Sequence, residues 1–228
     1  MNKVIFYQRG TCNEQLKLWD KKLKFWYKNF ELIHLNDPRA SEASVAMLWK
    51  APMKKILNFK NLKSIISLGQ GVDHVINTKN FPKNISVYRI VDPYMAKSMS
   101  HWVIMSILNF IRDTYGYYDQ QKNKIYEIRN EINFTSLKIA VYGIGAIGSV
   151  VAKDLKQLGF NVYGWSRTQK KITGINCFIG KNKFKNLLKS CDIHICLLPL
   201  TNETNNIFNN SSFKMMKNGS CFINAGRG

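Results

Sequence analysis

The chain has 228 residues, 45% of them hydrophobic, with 13 Phe, 10 Tyr and 5 Trp, which suits one large or two small α/β domains and excludes global disorder. Its formal net charge is +20, but no lysine run exceeds two residues and no zinc module, aromatic RNA-binding motif or basic arm is present, so no specific nucleic-acid partner is expected and the charge instead favours phosphorylated ligands. The five cysteines are scattered without Cys-x-x-Cys spacing and no apolar run approaches the ~20 residues of a membrane span, so we expect buried reduced thiols, no metal, no membrane partner and a cytoplasmic location.

Five short apolar runs open the chain: Val4–Tyr7, Glu31–Leu35, Val45–Trp49, Ser64–Leu68 and Ser86–Ile90. Helical stretches such as Asn13–Lys28 and Met53–Asn58 lie between them, and this alternation predicts a parallel sheet flanked by helices. One long helix is predicted from Ala96 to Tyr117, too densely apolar for a surface helix and therefore buried along much of its length, with an exposed polar arm over Asp119–Asn133. The alternation then restarts. Strands are predicted at Leu137–Tyr142, Asn161–Trp165, Asp192–Leu198 and Ser220–Asn224, and helices at Ala146–Leu158 (stopped by Gly159), Lys181–Lys189 and Ser212–Met216.

Gly143-Ile144-Gly145-Ala146-Ile147-Gly148 follows a predicted strand and opens a predicted helix, the context a dinucleotide-binding turn requires. Gly143 allows the tight turn, Gly145 lets a pyrophosphate approach the backbone, and Gly148 lets helix and strand pack closely. The helix amino end, including Ala146 and Ile147, supplies N–H groups and a positive dipole end to the phosphates. An acidic residue about twenty positions on would bind the 2′-hydroxyl of NAD(H). Trp165-Ser166-Arg167-Thr168 stands there instead. Ser166, Arg167 and Thr168 suit a 2′-phosphate, so NADP(H) is the preferred cofactor and NAD(H) the alternative.

Several stretches, in order, resemble the D-isomer-specific 2-hydroxyacid dehydrogenases, and within them the glyoxylate/hydroxypyruvate reductase A branch. They are Ser67-Leu68-Gly69-Gln70-Gly71-Val72-Asp73-His74, Arg112-Asp113, Gly143–Gly148, Trp165-Ser166-Arg167, Leu197-Leu198-Pro199-Leu200-Thr201 with Glu203-Thr204, and Ile223-Asn224-Ala225-Gly226-Arg227-Gly228. The resemblance implies a flavodoxin-like substrate domain over residues 1–94 and a Rossmann cofactor domain over 95–228, with the Rossmann domain's C-terminal strands missing. It implies reduction of a small 2-oxoacid such as glyoxylate or hydroxypyruvate by NAD(P)H, in the cleft between the domains. Arg227 would be catalytic, binding the substrate carboxylate and polarising the carbonyl. Backbone N–H groups of Gln70, Gly71 and Val72 would hold the substrate from the other side. Leu198, Pro199 and Thr201 would line the nicotinamide. A homodimer is the family's usual assembly.

The family's Glu/His acid–base pair lies beyond its arginine motif and is not matched here. His34 and His194 read as core residues, His101 lies near the start of the long helix, and His74 sits beside the substrate loop without matching the catalytic motif. The last strand would be the fifth in a 3-2-1-4-5-6 order, which leaves Cys221-Phe222-Ile223 on an apolar edge. A fragment or disrupted frame of a dehydrogenase, one piece of a split enzyme, and a non-catalytic NADP(H)-binding protein all fit this pattern. A basic nucleic-acid-binding α/β protein is a more distant alternative.

Overall fold

The computed structural model describes residues 2–10, 12–130 and 132–227. The chain forms two compact units, residues 1–91 and 92–228. In the first, β1 (Asn2–Gln8), β2 (Phe30–His34), β3 (Val45–Trp49), β4 (Ser64–Ser67) and β5 (Ser86–Arg89) form a parallel sheet of order 2-1-3-4-5, the flavodoxin-like arrangement. The helices here are α1 (Asn13–Lys24), α2 (Met53–Ile56) and α3 (Asp73–Ile76). Ile5, Ile33, Leu48, Ile65 and Val75 belong to its core, and Trp19 of α1 meets Phe6 with ring centroids 5.4 Å apart. The expected helix Asn13–Lys28 ends at Lys24, and Phe25, Trp26 and Tyr27 beyond it are exposed.

The second unit opens with α4 (Pro93–Ile111) and α5 (Thr114–Asn123). Asp92 caps α4 by accepting from the Tyr94 N–H at 2.9 Å. The single helix expected over Ala96–Tyr117 is therefore two. Asp113 takes a left-handed conformation (φ 45°), and its carboxylate accepts from the Gly116 N–H to cap α5 and pairs with Arg129. Local capping here ends the helix where the dense apolar run ends, at Ile111, and starts a new one. Nor is α4 buried all round: Ala96, Ser100, Val103, Ile107 and Ile111 form one buried stripe, whereas Trp102, Met105 and Leu108 are exposed.

Next come β6 (Lys138–Tyr142), α6 (Ala146–Gln157), β7 (Asn161–Trp165), β8 (Asn176–Phe178), α7 (Lys181–Ser190), β9 (Ile193–Cys196), α8 (Asn210–Lys214) and β10 (Cys221–Asn224). The parallel sheet runs β8-β7-β6-β9-β10, the 3-2-1-4-5 part of the Rossmann order. The β10 strand is thus the fifth, as expected, whereas the three-residue β8 carries no alternating pattern long enough to read.

α4 and α6 cover one face of this sheet. Val103 and Ile107 share a core with Val151, Leu155, Ile139 and Val141. Asp154 of α6 ties the helices together, accepting from Lys97 Nζ at 2.8 Å and Ser100 Oγ at 2.6 Å. Burial pushes that carboxyl's pKa up, but the bonds from Lys97 and Ser100 outweigh it and lower the pKa overall. α6 ends in a Schellman motif: Gly159 (φ 89°) donates to Lys156 O and Phe160 to Leu155 O. The opposite face packs Tyr142, Phe184, Leu188 and Phe208. Of the cysteines, Cys191 and Cys196 are buried as expected, Cys177 and Cys221 are half-buried, and Cys12 is exposed because it lies just ahead of α1 on the surface. Among the described residues no helix is long and apolar enough to cross a membrane, and no cluster of three or more metal-ligating side chains is assembled.

Candidate functional site

Strand order reverses at β6, with β7 on one side and β9 on the other. Ligands of open α/β sheets bind at such a switch point, outside the carboxyl ends of the strands. The glycine turn emerges there. Gly143 has φ 104°, its N–H donates to Trp165 O at 2.8 Å, and a Cβ on it would lie 2.8 Å from the Leu197 carbonyl oxygen. A Cβ on Gly148 would lie 2.0 Å from the Gly143 carbonyl oxygen. Both glycines are required by the protein's own packing.

Gly145 is different. It has φ −99° and ψ −155°, which any residue can adopt, and a Cβ placed on it would meet nothing within 4 Å. Neither strain nor crowding inside the protein calls for glycine there. Gly145 caps α6, and the helix's first backbone bond runs from Ser149 N–H to Gly145 O. The N–H groups of Ala146, Ile147 and Gly148 precede that bond and have no helical acceptor. Open space, three amide donors and a positive dipole end fit a pyrophosphate. Ile144, 2% exposed, anchors the turn, and its side chain lies against Gly164 of β7, where a Cβ would come within 2.8 Å. Sequence reading passes over Gly164 because its reason is a neighbour in space.

At the end of β7, Ser166 is buried and its hydroxyl donates to Thr168 O at 2.7 Å, while its N–H donates to Phe178 O. Ser166 thus shapes the loop, and Arg167 and Thr168 are exposed on it. Across the switch point, Leu197 N–H donates to Tyr142 O. Leu198 points into the core beside Tyr142 and Phe184, leaving Pro199 exposed. Thr201 and Thr204 bond reciprocally: Thr201 N–H donates to Thr204 Oγ1 at 2.9 Å and Thr204 N–H to Thr201 Oγ1 at 3.3 Å. Thr204 Oγ1 also donates to Pro199 O.

The arginine motif is registered on this loop. Ala225 N–H donates to Cys196 O and Arg227 N–H to Leu198 O at 2.9 Å. A Cβ on Gly226 would lie 2.7 Å from Leu198 O, so only glycine lets the two segments run this close. The Asn224 carboxamide turns the chain there by accepting from Gly226 N–H at 3.0 Å. The Asn-x-Gly spacing of Asn224-Ala225-Gly226 is the sequence signal for that turn. Arg227, Pro199 and the glycine turn thus stand together at one end of the sheet. In the first unit, Gln70, Gly71 and Val72 form the loop between β4 and α3, half-buried. Gly69 ahead of them lies against the Trp49 ring, and His74 meets the same ring edge-on, centroids 4.8 Å apart.

His194 is fully buried in β9, with its Nδ1 3.0 Å from Tyr142 Oη, and burial lowers its pKa to about 4. His101 lies on α4, and His34, at the end of β2, is half-buried and accepts from Asn36 N–H, less enclosed than a core reading implies.

The family described as D-isomer specific 2-hydroxyacid dehydrogenase, NAD binding domain, matches residues 104–228. The chain belongs to that family. Glyoxylate/hydroxypyruvate reductase A of Yersinia enterocolitica is 30% identical over 191 residues, which are 82% of this chain and 61% of that protein. The chain therefore spans less than two thirds of that relative's length. A probable 2-hydroxyacid dehydrogenase from Rhizobium etli, solved with NADP, HEPES and L(+)-tartaric acid, superposes with a TM-score of 0.88 at 32% identity, covering 100% of this chain and 73% of its own. The NADPH-dependent glyoxylate/hydroxypyruvate reductase of Sinorhizobium meliloti, solved with NADP and sulfate, gives 0.85 at 28%, with the same two coverages.

Proposed function

We propose that this chain binds NADP(H), with NAD(H) as the weaker alternative, and carries the substrate-holding arginine of a reductase acting on a small 2-oxoacid such as glyoxylate or hydroxypyruvate. The observation that carries the reading is Gly145: a glycine the fold does not need, at the amino end of a helix, where a nucleotide's pyrophosphate would lie. The amides of Ala146, Ile147 and Gly148 hold the phosphates. Arg167, with Thr168 beside it, binds the 2′-phosphate, and Ser166 braces their loop. Pro199 and Thr201 border the nicotinamide, with Leu198 supplying backbone there because its side chain is in the core. When bound, the reduced cofactor supplies the hydride. Arg227 holds the substrate carboxylate in a bidentate pair and stabilises negative charge on the reacting oxygen. In the Gln70–Val72 loop, Gly71 and Val72 offer their amides to a substrate carboxylate.

We assign the proton-donor role to none of the four histidines. His194 is locked in the sheet and His101 lies within α4. A general acid is worth about 10²–10⁴-fold in rate. The 228-residue chain is therefore expected to bind NADPH yet reduce glyoxylate at least ~100-fold more slowly than the Sinorhizobium meliloti reductase. Fluorescence titration with NADPH and NADH, on the chain and on Arg167→Asp, tests the cofactor assignment. A fall in the NADPH-to-NADH preference of about tenfold or more supports it, and an unchanged ratio refutes it. A second copy is the expected partner of the α4 face that bears Trp102, Met105 and Leu108.

A further inference from the structure

Two side chains hold successive carbonyls of the Gln70–Val72 loop. Ser67, the last residue of β4 and fully buried, donates from its hydroxyl to Gly71 O at 2.7 Å. Arg89, the last residue of β5, donates from Nη1 to Gln70 O at 3.3 Å. The C=O and N–H of a trans peptide point in opposite directions. Gln70 O shares its peptide plane with Gly71 N–H, and Gly71 O shares its plane with Val72 N–H. Ser67 and Arg89 are register partners on neighbouring strands, so their side chains leave the same face of the sheet and draw both oxygens toward it, which turns both N–H groups the other way. Neither N–H has an acceptor among the described residues. The loop's entry is fixed too, since a Cβ on Gly69 would lie 2.6 Å from the Trp49 ring.

We propose that Ser67 and Arg89 are positioning residues that set Gly71 and Val72 as a paired amide cradle for the substrate carboxylate, a role that rests on the substrate-loop reading above. Two adjacent amides on one side of a loop form an anion-binding concavity. Fixing them before binding removes an ordering cost from the affinity. Arg89 is exposed, so its charge also lowers the cost of bringing an anion to the loop.

The test uses the whole 228-residue chain, ¹⁵N relaxation at Gly71 and Val72, and titration with oxalate in the presence of NADPH. In Arg89→Gln the order parameter of Gly71 should fall from about 0.85 to below about 0.6. The oxalate Kd should rise about tenfold with the NADPH Kd unchanged. Arg89→Lys should restore part of both, and Ser67→Ala should loosen Val72. Unchanged order parameters in both Arg89→Gln and Ser67→Ala overturn the positioning role, even if oxalate binding weakens, because Arg89 would then be acting on the anion directly. If the unmodified chain takes up no oxalate while Arg89→Gln still loosens the loop, the tether stands and the substrate-loop reading falls.

Discussion

At the residue scale, the three fingerprint glycines separate into two kinds. Gly143 and Gly148 are held by protein atoms 2.8 and 2.0 Å from where a Cβ would stand, and Gly145 by none within 4 Å. Gly148→Ala should cost stability, about 2 kcal/mol or more, because the helix must move off the Gly143 carbonyl. Gly145→Thr, with a side chain that caps a helix about as well as glycine, should leave the unfolding free energy within about 0.5 kcal/mol of the parent while weakening NADPH binding at least about tenfold. Urea melts and NADPH titrations of the two variants check this. Equal stability losses would show that Gly145 is as structural as Gly148.

At the element scale, legibility followed the range of the signal. Strands such as Val45–Trp49 and Lys138–Tyr142 were readable because burial on both faces of a parallel sheet writes a nearly continuous apolar run. The glycine turn was readable because backbone geometry fixes its spacing. The break at Asp113 was not: the dense apolar run ends at Ile111, but where one helix stops and the next begins falls to one carboxylate bonding Gly116 N–H and Arg129. Gly164, Ser67 and Arg89 were not readable either, since each acts on a residue from another segment. Leu198 was expected to line the nicotinamide; its side chain lies in the core with Tyr142 and Phe184, set by the loop after β9 rather than by any local sequence pattern.

The central strand pair also gives the fold a pH response. His194 of β9 sits beside Tyr142 of β6 with a pKa lowered by burial to about 4, against 6.5 when unfolded. The unfolded chain therefore binds the extra proton. Stability is full above about pH 6.5 and falls as the pH drops toward 4, by about 2 kcal/mol between pH 7.5 and 5. His194→Leu should remove that part of the loss, measured by urea denaturation at the two pH values. An unchanged difference between them would place the titration elsewhere.

On the scale of the whole molecule, charge and architecture meet. With 34 Lys and Arg against 14 Asp and Glu, the chain attracts a polyanionic nucleotide from a distance. The NADPH association rate should therefore fall about tenfold between low and ~0.5 M salt, with a smaller change in the dissociation rate. Stopped-flow fluorescence measures both, and a salt-independent association rate would mean that the lysine charge is too dispersed to steer.

The contrast at the glycine turn also has a consequence over generations. Selection for folding alone would keep position 148 glycine and release position 145, since no protein atom forbids a side chain there. In sequences descended from this one, drift at 145 against constancy at 148 would separate a lineage that still handles its cofactor from one that keeps only the shape.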